Sequence, residues 1–190
     1  MASRRRAIPS ARVTVFGDFC LDAYWLIDPD KSELSVETHL PVLRVRQQRY
    51  SLGGAGNIVA NLVALGVGQV RAVGLLGADL FGRIMLDMLA DLDVNCQGML
   101  ASQRDWRTLV YAKPYIEDAE QNRIDFGNFN ELSDATGAQL VERLAALLPR
   151  VDVVVINQQV KQGIHSPLVR KRLAELIKAN ASRIFIVDSR

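Results

Sequence analysis

Four short runs, Arg12-Val-Thr-Val-Phe16, Val70 to Leu76, Val151 to Ile156 and Arg183-Ile-Phe-Ile-Val-Asp188, are almost wholly apolar, and segments of helical period separate them. A strand that is apolar at nearly every position must be covered on both faces, and helices placed between such strands supply the cover. This succession constrains the chain more than any other feature. It predicts an α/β fold, a mostly parallel sheet covered by helices. Ile58, Val59, Leu62, Val63 and Leu65 share one face of a helix over 57–65 that Gly66 ends, and Leu80, Ile84, Met88 and Leu92 space a second. Ser133 is placed to cap a third helix carrying Leu140, Val141, Leu144, Leu147 and Leu148. Ser166-Pro167 opens a fourth with Leu168, Leu173, Leu176 and Ile177.

Other segments break that period. Leu21 to Ile27, Val42 to Val45, Thr108 to Ile116 and Gln121 to Phe126 are β-prone, and Glu117-Asp-Ala-Glu120 joins the last two as a hairpin turn would. They predict a separate small sheet of exposed strands drawn from about 21–50 and 108–126, set apart from the core. A flexible tail is expected over 1–11, and residues 12–190 are expected to form part of one domain.

Charge and length narrow the function classes. The 23 lysines and arginines against 21 aspartates and glutamates leave a net charge of +2, part of it in the Arg4-Arg5-Arg6 run, so no nucleic-acid partner is indicated. No apolar stretch nears the ~20 residues that span a bilayer, and residues 7–12 after the arginines hold no signal core. A cytoplasmic protein without membrane contact is expected, in which Cys20 and Cys96 are buried thiols.

The strongest local signal is Gly53-Gly54-Ala55-Gly56-Asn57 opening a helix. Glycines let a ligand reach the backbone, the first-turn N–H groups favour oxygens, and Asn57 adds a donor and an acceptor. Sugar hydroxyls and phosphates both suit it; so does a plain tight turn. It lacks the third glycine of a dinucleotide fingerprint, and Gly77 to Ile84 has P-loop spacing but ends in Arg83-Ile84 instead of Lys-Ser/Thr. Asp18 and Asp22 bracket the turn after the first strand, where a carboxylate accepts either vicinal hydroxyls or backbone N–H groups. Arg123 and Asp125 share one face of the hairpin, which is either a site wall or a solvated surface. Lys161 follows the 151–156 strand and is either an exposed loop lysine or a ligand for an anion. His39 and His165 stand alone, no CxxC occurs, and no G-x-S-x-G elbow is present, so neither a zinc site nor hydrolysis is indicated.

Gly17-Asp18-Phe-Cys-Leu-Asp22, Pro41-Val-Leu-Arg-Val45, Gly53-Gly54-Ala-Gly-Asn57-Ile-Val-Ala-Asn61-Leu-Val-Ala-Leu-Gly66, Gly74-Leu-Leu-Gly77-Ala-Asp79 and Arg123-Ile-Asp125-Phe126 arrive in an order that resembles the N-terminal half of a ribokinase-like (PfkB-type) carbohydrate kinase. The likeness runs from about Arg12 to Asp188. Within the family it is greatest to the sugar-kinase domain of the ADP-heptose synthases. The resemblance implies a Rossmann-like sheet with a β lid that clasps a second subunit, a sugar or sugar-phosphate substrate, and ATP with Mg2+ as cofactors. It further implies that Asp22, Gly53, Gly54 and Asn57 contact the sugar while Arg123 and Asp125 close over it.

Two departures stand out. Asn157-Gln158-Gln159-Val160-Lys161 replaces the Ser-Asp-Tyr-x-Lys of the heptose kinases, and the family's Asp-Thr-x-Gly-Ala-Gly-Asp signature does not occur in these 190 residues. The catalytic residues are therefore expected beyond Arg190, and weak ATP binding and no turnover are expected of this chain alone. A non-catalytic sugar-responsive or dimerisation module is the alternative, and a nucleotide-binding regulatory domain a third.

Overall fold

The structure, a computed structural model, describes residues 8–189. The Arg4-Arg5-Arg6 part of the expected tail lies outside the described residues; Ile8–Ser10 form a 3-10 turn without a buried residue, and the Ile8 carbonyl accepts from Gly68 N–H.

Five strands make the main sheet: β1 (Arg12–Gly17), β4 (Gln69–Leu75), β5 (Asn95–Leu100), β9 (Val153–Gln158) and β10 (Ile184–Ser189). They run in the order β10-β9-β1-β4-β5, and every neighbouring pair is parallel. Side-chain alternation sorts these strands into two cores. Val13, Val15, Val70, Ala72 and Val155 face helices α1 (Ala55–Ala64) and α2 (Leu80–Asp91). Phe16, Val73, Leu75, Val154 and Ile156 face α3 (Asp134–Leu147) and α4 (Pro167–Ala179). Ser133 and Ser166 cap the latter two helices as expected, accepting from Thr136 N–H and Val169 N–H.

The second sheet joins β2 (Phe19–Ile27), β3 (Val45–Gly54), β6 (Leu109–Ile116), β7 (Ala119–Glu120) and β8 (Ile124–Phe126). Its order is β3-β2-β6-β7, with β8 also on β6. β2 pairs antiparallel with β3 and parallel with β6. Asp18 alone separates β1 from β2, so the chain steps from the main sheet into the lid within one residue.

Several expectations are corrected. The 21–27 strand is not exposed: Leu21 and Ala23 are fully buried, because one face of β2 packs on the core beneath α1 and α2. Only Val45 of the 42–45 segment is in a strand, since the pairing of β3 with β2 begins at Val45↔Ile27 and continues through polar residues to Gly54. The 183–188 strand is not covered on both faces. It is the sheet edge, and Ile184 and Ile186 lie exposed on the face that no helix among the described residues covers. In α2 the inward residues are Met85 and Leu89, one position on from the expected Ile84 and Met88, while Leu80 is exposed at its first turn. β5 escaped prediction because its sequence, Asn-Cys-Gln-Gly-Met-Leu, is too polar to read as an apolar run.

Candidate functional site

The lid sheet turns one face to the core and the other outward. Period-two alternation places Cys20, Asp22 and Tyr24 of β2 on the outward face, and the parallel register sets Tyr111 beside Asp22 and Lys113 beside Tyr24. Where this face meets the carboxyl ends of the main strands, a pocket of 310 Å³ is lined by Cys20, Asp22, Gly53, Gly54, Tyr111, Arg123 and Gln159. Ligand sites of open α/β sheets form at this end of the strands.

Asp22 takes the Lys113 ammonium at 2.8 Å, and that ammonium stands 5.0 Å from the Tyr24 ring centre. Burial works against the charge on Lys113, but the Asp22 carboxylate outweighs it and raises the ammonium's pKa. Opposite Asp22, a Cβ on Gly53 would lie 2.9 Å from Oδ2, so glycine is what lets the β3 backbone come up to the carboxylate. Gly54 has φ +55°, and its following residue, Ala55, donates its N–H to the Asp18 carbonyl at 2.9 Å. That bond fixes the start of α1 next to the pocket.

Arg123 makes two bonds to Asp125, Nε to Oδ1 at 2.5 Å and Nη2 to Oδ2 at 2.7 Å, and its guanidinium lies 4.5 Å from the Tyr111 ring centre. Hydrogen bonding from Arg123 holds the Asp125 carboxyl below its ordinary range. Burial pushes the Tyr111 phenol up to about 12 and the Cys20 thiol up to about 12. Both therefore stay neutral; Tyr111 acts as a donor or acceptor hydroxyl, and Cys20 is no nucleophile.

The structure separates the two turn carboxylates. Asp18 is buried, and its oxygens accept from Gln159 N–H at 2.8 Å, Val160 N–H at 3.1 Å and Ile164 N–H at 2.8 Å. Asp22 faces the pocket. Of the other expected site residues, Gly53, Gly54 and Arg123 line the pocket and Asp125 holds Arg123. Asn57 is exposed on the first turn of α1 and is not among the lining residues. Lys161 is exposed and borders a separate hollow with Gln158, Gln159 and Val160.

Sequence reading missed Tyr111, Lys113 and Gln159. The alternation of β6 was legible, but its parallel pairing with β2 was not, and only that pairing brings Tyr111 and Lys113 to Asp22.

Nucleotide and metal are a different matter. Gly77 N–H is given to Thr108 Oγ1 at 3.0 Å and Gly82 N–H to Asp79 Oδ1 at 2.9 Å, so neither glycine amide of the 77–84 segment is free for a phosphate. Those two glycines therefore offer no donor to the ATP that the resemblance implies. Nor, among the described residues, do three or more His, Cys, Asp or Glu side chains gather as a metal site.

These features agree with comparisons to known proteins. Residues 11–186 match the profile of the pfkB family carbohydrate kinases. The bifunctional protein HldE of Desulfatibacillum aliphaticivorans is 32% identical over 182 residues, covering 94% of this chain and 35% of the relative. A carbohydrate kinase from Agrobacterium tumefaciens superposes with a TM-score of 0.63 at 15% identity, over 93% of this chain and 53% of that one. A sugar kinase from Pyrococcus horikoshii, solved in complex with ATP, gives 0.58 at 15% identity, over 93% and 52%. At such identities the solved structures speak for the fold alone. The chain spans about a third of the curated relative's length and about half of each structural neighbour. With the family profile matched over almost the whole chain, the protein belongs to the pfkB family of carbohydrate kinases.

Proposed function

We propose that this chain is the sugar-binding portion of an ATP-dependent carbohydrate kinase that transfers a γ-phosphoryl group to a hydroxyl of a sugar or sugar phosphate, a heptose phosphate among the candidates. The observation that carries the reading is Asp22, a carboxylate open to a polar pocket at the strand ends, with the Gly53 backbone brought against it. Asp22 accepts from vicinal hydroxyls. Gly53 and Gly54 frame the same ligand from the α1 side and Arg123 closes from the lid with Asp125 orienting it, while Asn57 and Lys161 stand outside this pocket, on the first turn of α1 and beside the neighbouring hollow. Calorimetric titration of the chain with fructose 6-phosphate, mannose 6-phosphate and a heptose 7-phosphate tests the reading. Saturable binding of at least one is expected, and heatless titrations with all of them would refute it.

The reading places ATP and Mg2+ with the whole kinase and gives this chain at most weak nucleotide affinity. Cys20 and Cys96 are both free thiols, which supports a reducing compartment such as the cytoplasm.

Assembly through the lid is part of the same reading. Leu34, Val36, Leu40, Leu43 and Val45 are exposed along the lid segment leading into β3, which is itself a sheet edge, and a second lid would cover both. A homodimer is expected in sedimentation velocity at micromolar concentration, and Leu40→Glu with Leu43→Glu should return it to monomer. A chain that sediments as monomer throughout contradicts the clasp.

A further inference from the structure

We infer that Gln159 is a specificity-determining contact to the ligand and that Asp18 is the positioning residue that holds it over the pocket. The inference rests on the sugar-binding reading of the pocket and goes beyond it to two residues with no role in it so far. Gln159 lines the same pocket as Asp22, and among the described residues its backbone N–H goes to Asp18 while its side-chain amide has no hydrogen-bond partner. An amide offers one acceptor and two donors without charge, so it suits a ligand hydroxyl rather than a phosphate.

A side chain on a surface loop discriminates poorly unless its backbone is fixed. Here three N–H groups of the 159–164 loop, including that of Gln159 itself, converge on the one buried carboxylate of Asp18. The loop approaches so closely that a Cβ on Gly163 would overlap the Asp18 carboxylate. Asp18 is fixed in turn: its N–H donates to the Asn157 carbonyl at 3.2 Å, and its own carbonyl takes Ala55 N–H. One residue thus ties the end of β9, the start of α1 and the 159–164 loop around the pocket. Its carboxylate is spent on backbone amides, so it acts on the ligand only through what it holds.

The test uses the 190-residue chain, titrated with fructose 6-phosphate, mannose 6-phosphate and a heptose 7-phosphate, with amide hydrogen exchange followed over 159–164. Gln159→Ala is expected to weaken binding about 3- to 10-fold and to shrink the differences among the three probes. The exposed neighbour change Gln162→Ala should alter neither. Asp18→Asn, and independently Gly163→Ala should the first variant fold poorly, are expected to speed exchange over 159–164 by ~10-fold or more and to weaken binding at least as much as Gln159→Ala. If Gln159→Ala binds all three probes like the unsubstituted chain while Asp22→Asn weakens binding, the contact is refuted and the sugar site stands. If the unsubstituted chain binds none, the sugar site falls and the contact with it. Unchanged exchange over 159–164 in folded Asp18→Asn or Gly163→Ala refutes the positioning role.

Discussion

Supplied with Mg2+-ATP and a sugar phosphate that it binds, the 190-residue chain is expected to release ADP at least ~10^4-fold more slowly than a full-length relative assayed beside it. Phosphoryl transfer requires donors aimed at the moving phosphoryl group and a base on the acceptor hydroxyl. Among the described residues the aspartates near the strand ends are committed to structure. Asp18 takes three backbone amides, Asp79 takes Gly82 N–H and both Thr108 groups, and Asp188 takes the Asn157 side-chain amide at 2.9 Å. The amides of Gly77 and Gly82 are likewise engaged, so neither glycine serves a phosphate. A coupled ADP-release assay decides the matter. Brisk sugar-dependent release by this chain would show that one of these aspartates leaves its partners when the ligand binds.

Gly54→Ala is expected to cost ~3 kcal/mol of stability and to abolish measurable sugar binding with it. Gly54 sits at φ +55° and ψ −128°, a conformation open to glycine and almost nothing else, and a Cβ there would overlap the Asp18 carbonyl oxygen. That carbonyl accepts the Ala55 N–H that anchors α1, so relief of the overlap must move either the helix start or the β1–β2 step. Gly66 supplies the control. It too has positive φ, +79°, but a side chain there meets nothing within 4 Å, so Gly66→Ala should cost only ~1 kcal/mol. Urea unfolding of the two variants separates the cases: equal midpoints would mean that the crowding at Gly54 is unimportant.

The parts of this fold that were legible in the sequence are those decided locally. β1, β4 and β9 announce themselves as apolar runs because both faces are covered, and Ser133 and Ser166 announce α3 and α4 because a capping oxygen must precede a helix. Gly53 and Gly54 were legible for a related reason: only a backbone needing close approach or positive φ spends two glycines before a helix.

The site itself depends on pairings that no local signal carries. Cys20 lies beside Leu109 and Asp22 beside Tyr111 through parallel strands far apart in sequence, so the Lys113 partner of Asp22 could not be read from either segment. Asp18 and Asp22 look alike in sequence. What distinguishes them is the 159–164 loop folding onto one and not the other. The edge strand β10 misled for the opposite reason, since an apolar sequence states what a strand can bury and not whether a helix lies over it.

The central claim is that Asp22 receives sugar hydroxyls, and the most direct measurement is the affinity of Asp22→Asn for whichever sugar phosphate the unsubstituted chain binds best. Removing the charge from a carboxylate that accepts hydroxyl hydrogen bonds should weaken binding by ~1.5 to 3 kcal/mol, about 10- to 150-fold, with circular dichroism and unfolding midpoint showing the fold retained. A folded Asp22→Asn chain that binds the same sugar phosphate with unchanged affinity would contradict the account.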